Sequence, residues 1–277
     1  MKQNRKCLDR SFLLFQSMAW MTKIISTMIL GAIYLTISDC IIHIVQHFVP
    51  VDDYPWRLAF KNAVSFRTSH YFISYFAEAS AIAAGFGYVE SVGSNGMFTE
   101  WKLSVSEPFT VELPRSLVEV VVSWNKPMHR WLKKYCFKKV IRFGKGTAIM
   151  ATFIASSILH GLNFQVGAIL LSLGFFVYVE DKLRNELARR FDASIRTRIR
   201  PEIDNFLHNE LSFTASFINS IFTMLNVLHL AYLGGIFDQH DMQMEGYDWT
   251  HTIAKWQTLG FFSHWFMFVA YLLSLIL

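Results

Sequence analysis

His160 is the only His, Asp, Glu, Lys or Arg between Thr147 and Val179, in a stretch that is otherwise mostly apolar. An imidazole at hydrocarbon depth is costly and usually has a task. Asn125 lies 35 positions upstream, in the string Ser123-Trp124-Asn125-Lys126-Pro127-Met128. A histidine can act as general base toward a hydroxyl, and a side-chain amide can donate to a developing oxyanion. In a greasy chain the pair suggests acyl transfer carried out inside a membrane. Each residue also has a plainer reading. His160 could hydrogen-bond across helices. Trp-Asn-x-Pro could be a helix-entry turn, with Asn capping and Pro in the first turn.

The other polar groups in apolar stretches are weaker candidates. His229 and His264 each sit in a long uncharged segment, and interhelical hydrogen bonding is the preferred reading. Glu78 is the lone acid of its segment, with Arg67 or a histidine on another helix as the expected partner. Asp39, His43 and His47 recur every four residues and would share a helix face. Ile44 and Val45 stand where a zinc-protease box needs its glutamate, and no other histidine-rich box follows. An interfacial polar face is therefore preferred over a metal site.

The elements that must hold these residues are membrane helices. The chain is 53% hydrophobic and 16% aromatic, with 26 Phe and only 17% charged residues. A soluble domain of this size carries more charge. Ser11 to Ser38 has only Lys23 as a charge, Phe72 to Tyr88 has only Glu78, and Leu211–Ile236 and Trp256–Leu277 have none. The last two are long enough to cross a bilayer, which needs ~20 helical residues. The expected fold is all-α: a single polytopic membrane domain over residues 1–277 with about five or six membrane segments. The basic N-terminus followed by a long apolar stretch reads as a retained anchor. Three cysteines without close pairing imply no disulfide framework.

Charge is unevenly placed. Lys126 to Lys145 holds eight Lys and Arg and no acid, and Lys182 to Arg200 holds seven against Glu186 and Asp192. Read as loops, both would prefer the cytosolic side, where anionic lipid or a phosphorylated ligand fits better than nucleic acid. The loop from Phe237 to Trp249 is acidic and is assigned to the opposite side. With both basic stretches on one side, Thr147–Leu159 and Val166–Val179 would form a re-entrant helical hairpin with His160-Gly161 near its tip. One long tilted helix is the alternative. Ser91 to Glu112 is turn-rich and is expected to be a loop or surface-lying segment. Leu117 to Val122 is expected to be an interfacial helix.

The string from Ser123 to Leu132 resembles the asparagine motif of the membrane-bound O-acyltransferase family, and Ser157-Ile158-Leu159-His160-Gly161 resembles its histidine motif. Supporting strings are Ala63–Phe66, Val111–Ser116, Tyr178-Val179-Glu180, His229–Gly234 and Ser263-His264-Trp265. The similarity is greatest to the branch that lipidates secreted Wnt proteins. It implies transfer of a palmitoleoyl group from palmitoleoyl-coenzyme A to a Wnt serine at the endoplasmic reticulum membrane. His160 would be general base, Asn125 would orient the donor or polarise its carbonyl, and Trp124, Ser157 and Gly161 would contact substrate. No cofactor or metal is implied beyond acyl-coenzyme A as substrate; membrane lipid is a partner and nucleic acid is not. Members of the family are longer, so this chain is expected to lack their N-terminal helices. The alternative is a shortened, inactive scaffold that binds lipid or client. A proton-coupled transporter is a third reading, disfavoured because paired repeats and broken helices are not apparent.

Overall fold

The computed structural model describes residues 2–48, 54–93, 96–161, 163–198, 206, 212–237 and 249–277. The acidic stretch 238–248 and Arg200 lie outside these residues. The architecture is helical, as expected, with one antiparallel hairpin. The chain divides into two compact units, 1–44 with 68–106 and 45–67 with 107–277.

In the first unit, α1 (Lys2–Thr36) runs through a π-helical turn (Ile37–Ile41) into α2 (Ile42–Phe48). The C-terminal half of α3 (Pro55–Ala83) packs antiparallel along α1. Trp20 Nε1 donates to the Ile82 carbonyl at 2.8 Å, and Tyr34 packs edge-on against Tyr71 and stacks on Tyr75. Between them Lys23 Nζ lies 3.1 Å from Glu78 Oε1. Neither Arg67 nor a histidine is the partner of Glu78; Arg67 is held bidentately by Glu112 within the other unit, at 2.8 and 2.7 Å. The opposite side of α1 shows Met18, Met21, Ile25, Met28, Ile29 and Ile33 exposed, a face suited to lipid. A π turn, Ile37–Ile41, runs through Asp39, and both Asp39 and His43 are exposed. Among the described residues no three His, Cys, Asp or Glu side chains are grouped to hold a metal. The side chain of His47 is outside the described ones.

Strands β1 (Tyr88–Gly93) and β2 (Gly96–Trp101) pair antiparallel from Tyr88↔Trp101 to Gly93↔Gly96. The turn-rich stretch expected to be a loop thus starts inside a hairpin, because backbone pairing satisfies its peptide groups. It ends in α4 (Pro108–Glu112).

The second unit is built on α9 (Phe164–Phe191). α5 (Leu117–Trp124) is the helix expected, N-capped by Ser116, whose Oγ accepts from Glu119 N. α6 (Lys126–Leu132), a π turn (Lys133–Phe137), α7 (Lys138–Val140) and a 3₁₀ turn (Ile141–Phe143) follow as one helical run into α8 (Lys145–Leu159). α10 (Phe213–Gly234), α11 (Trp249–Thr258) and α12 (Phe262–Ile276) complete it.

The run Lys182 to Arg200 is not a solvated loop. Its first ten residues continue α9, and Arg184 is 0% exposed. Glu180, 2% exposed, accepts from Leu117 N at 2.7 Å, Asn226 Nδ2 at 3.1 Å and Arg184 Nη1 at 3.5 Å. Arg184 also donates to Asn219 Oδ1 and the Arg115 carbonyl. Thr197 Oγ1 donates to Asp181. One buried polar network therefore ties α5, α9, α10 and the 194–197 segment. Buried charges persist only when paired and hydrogen-bonded in this way.

By length and apolarity, two stretches among the described residues can cross a bilayer, Met18–Val45 and Phe213–Gly234. A third counts if α11 and α12 form one span bent by 75°. This is fewer than the runs suggested. Trp256–Leu277 is broken where Gly260 and Phe261 take positive φ, and α8 is ~22 Å long. α3 and α9 are longer but carry several charges.

Candidate active site

His160 caps α8, with φ −81° and ψ 0°, and its N–H reaches the carbonyls of Ser156 and Ser157 at 3.2 Å. Gly161 follows at φ +91°, a conformation glycine adopts without strain and one that stops the helix. Asn163 then starts α9, its Oδ1 accepting from Val166 N at 3.2 Å. Sequence left a hairpin and a single tilted helix open; the structure has the hairpin. Lys145, at the head of α8, is paired with Asp181 of α9, so the two legs are antiparallel. Ser157 faces α9 at Gly167, where an added Cβ would lie 3.0 Å from its Oγ.

His160 is exposed, not covered by protein among the described residues. Ile158, Leu159 and Phe164 around the tip are 63%, 53% and 49% exposed. Any apolar enclosure at the tip comes from what surrounds this collar. Among the described residues the His160 imidazole has no hydrogen-bond or ion-pair partner.

The other two histidines behave differently. His229 Nδ1 is 2.9 Å from Ser263 Oγ. His264 bridges Tyr232 OH at 2.7 Å and Ser172 Oγ at 3.0 Å. These bonds join α10, α12 and α9, the interhelical role expected of them.

Asn125 sits in the break between α5 and α6, at φ −148° and ψ 90°. Its Oδ1 accepts from Met128 N at 3.0 Å, with Pro127 in the first turn, so the capping role is realised. Capping uses the oxygen and leaves the amide nitrogen able to donate. Cap and carbonyl-polarising group are thus compatible in one side chain.

Among the described residues no hydrogen bond joins Asn125 to His160, but neighbours of both motifs reach the end of α10. Trp124 stacks with Phe66 at 6.3 Å, and Phe66 stacks on Phe237 at 3.8 Å. From the other side Gln165, five residues past His160 and 2% exposed, donates to the Ile236 carbonyl at 2.8 Å. α3 reaches the same turn: a Cβ on Gly235 would lie 2.6 Å from Ala59 Cβ. Asn62 Nδ2 donates to Gly235 O at 3.5 Å. Gln165 and Phe237 escaped the sequence reading. The only signal for Gln165 was an uncharged polar residue inside an apolar leg.

His129 lies half-buried on α6. Burial lowers its pKa below the ordinary histidine value, and Arg198 and Lys133 lower it further.

The described residues thus form a helical protein with apolar faces suited to lipid, a histidine at a hairpin tip and an asparagine at a helix break. The profile of MBOAT, the membrane-bound O-acyltransferase family, matches residues 24–233, and the chain belongs to that family. It is 37% identical over 271 residues to "Protein-serine O-palmitoleoyltransferase porcupine" of Homo sapiens, covering 91% of this chain and 58% of that protein. The protein of the same name from Mus musculus is also 37% identical, with the same coverage. That from Anopheles gambiae is 36% identical, over 90% of this chain and 51% of the relative. The chain therefore spans a little over half the length of the curated relatives it matches.

Proposed function

We propose that this chain carries the catalytic hairpin of a protein-serine O-acyltransferase. It moves a palmitoleoyl group from palmitoleoyl-coenzyme A to a serine hydroxyl of a secreted Wnt protein, at the endoplasmic reticulum membrane. The observation that carries the reading is the contrast among histidines. His229 and His264 are committed to interhelical bonds, whereas His160 stands exposed at the hairpin tip among open apolar side chains, with no hydrogen-bond partner among the described residues.

In this reading the serine oxygen attacks the thioester carbonyl carbon while the His160 imidazole takes the hydroxyl proton. The Asn125 amide donates to the carbonyl oxygen as it gains charge. The carbon–sulfur bond then breaks, and the proton held on the imidazole passes to the coenzyme A thiolate. Trp124, Ser157 and Gly161 would shape the surroundings of the acyl donor. The tip is open at Gly161, since an added Cβ there would meet no atom within 4 Å outside the two adjacent residues.

The test is acyl transfer from labelled palmitoleoyl-coenzyme A to a peptide with the acceptor serine, in membranes carrying the chain. His160→Ala should lower the rate by ~10²–10⁴, the usual worth of a general base, with expression and helicity unchanged. Full activity in the variant removes His160 from the mechanism. Client binding without any transfer by the parent chain would leave the scaffold reading.

A further inference from the structure

We infer that the helical run from Arg130 to Phe143 is an interfacial arm that recognises anionic phospholipid at the membrane surface. The run is tied at both ends by ion pairs: Lys126 is paired with Glu107 and Lys145 with Asp181. The cations between them are not. Among the described residues Lys133, Lys134, Lys138, Lys139 and Arg142 have no carboxylate partner, and all five are exposed. Leu132 is buried, and Met128, Cys136 and Val140 are partly covered, recurring at four-residue spacing as the inward face. Trp131, Tyr135 and Phe143 are 46%, 50% and 65% exposed, so they too are uncovered by protein. Trp131 and Tyr135 pack together at 5.4 Å. Lys134 Nζ lies 5.0 Å over the Tyr135 ring, and the Arg142 guanidinium 4.7 Å over Phe143.

Cations interleaved with exposed aromatic side chains are what a headgroup layer receives well. The rings settle at the level of the glycerol backbone and the long basic stems reach the phosphates. The arm leads directly into α8, a short apolar helix, which anchors it beside the bilayer. Arg198, from a separate stretch, adds to the positive field that Lys133 sets up at His129. Unpaired cations on a juxtamembrane helix attract anionic lipid within about a Debye length.

The test is native mass spectrometry of the full chain from neutral detergent, supplied with equal phosphatidylserine and phosphatidylcholine. The arm predicts preferential retention of phosphatidylserine, by roughly tenfold at low salt and less as salt rises. Lys133→Gln, Lys134→Gln, Lys138→Gln and Lys139→Gln together should bring the ratio near one, and the matching Lys→Arg set should keep it. Equal retention by the parent, or a ratio unmoved by salt and by the Gln set, overturns the inference. Displacement of the lipid by coenzyme A also overturns it, because the face would then serve a soluble phosphate.

Discussion

Lys23 and Glu78 are each the only charge in an apolar run, and Lys23 Nζ lies 3.1 Å from Glu78 Oε1. The second carboxylate oxygen accepts from Val105 N at 3.1 Å. Glu78 is thus a structural acid joining α1, α3 and the chain after β2. The Glu78 side chain is 4% exposed and that of Lys23 37%. Lys23→Met should therefore cost at least as much as Glu78→Ala, because it strands the buried carboxylate, whereas Glu78→Ala strands the Val105 N–H and leaves an ammonium that can reach solvent. We expect about 3 kcal/mol for the first and about 2 kcal/mol for the second. Melting in detergent, run as a double-mutant cycle, checks this. A loss under about 1 kcal/mol in Lys23→Met would show that Val105 N–H alone satisfies Glu78.

Asn125 can be split into its two roles. Asn125→Asp keeps an oxygen to cap Met128 N but removes the amide donor, while Asn125→Ala removes both. The Asp variant should hold its stability within about 0.5 kcal/mol, and the Ala variant should lose ~1 kcal/mol. Both should lose acyl transfer by ~10²–10³ if the amide polarises the carbonyl. Transfer retained in the Asp variant would reduce Asn125 to a cap.

Both breaks that carry the candidate chemistry were legible in sequence, because residues with distinct backbone habits mark them. Gly161 after His160 stops a helix, and Asn125 before Lys126-Pro127 starts one. The partners of buried charges were not legible. Glu78 could have met any cation on any helix, and only packing selects Lys23. Arg184 read as part of a basic loop because its neighbours are basic, yet the α9 periodicity turns it inward to Glu180. The α11–α12 break was hidden because Phe261, in the left-handed region at φ +48°, is an apolar residue within an apolar run.

The Glu180–Arg184 network should be the most sensitive point of the second unit. Removing one partner leaves the other charge buried and unpaired, which typically costs ~3–5 kcal/mol. Arg184→Met and Glu180→Ala should each produce losses of that order in thermal melts. A loss under ~1 kcal/mol would mean that water enters the network and solvates the remaining charge.

Protonation of His129 should act against folding. Burial, then Arg198 and Lys133, lower its pKa below the ordinary 6.5. The unfolded chain therefore takes up the proton first as pH falls. The contribution of the neutral ring to stability is intact above about 6.5 and is lost as pH drops toward the folded-state value. The parent should lose stability below that pH faster than His129→Gln. Added salt should shrink the part due to the two cations. Parallel melting curves for parent and variant would remove His129 from the pH dependence.

The turn after α10, which Gln165 and the Phe66–Trp124 stack reach, can be loosened without touching Asn125 or His160. A Cβ on Gly235 would lie 2.6 Å from Ala59 Cβ and 2.7 Å from its Cα, so Gly235→Ala must push α3 away. Overpacking of this kind costs ~1–3 kcal/mol. The displacement should also move Phe66, on the same α3 face, relative to Phe237 and Trp124. Acyl transfer should then fall although Asn125 and His160 are unchanged. Ala59→Gly in the same chain removes the Cβ contact but leaves the Cα 2.7 Å away, so it should recover transfer only in part and stability less, since glycine in a helix costs ~1 kcal/mol. Loss of stability with transfer unaffected would show that the aromatic stack does not position the asparagine motif.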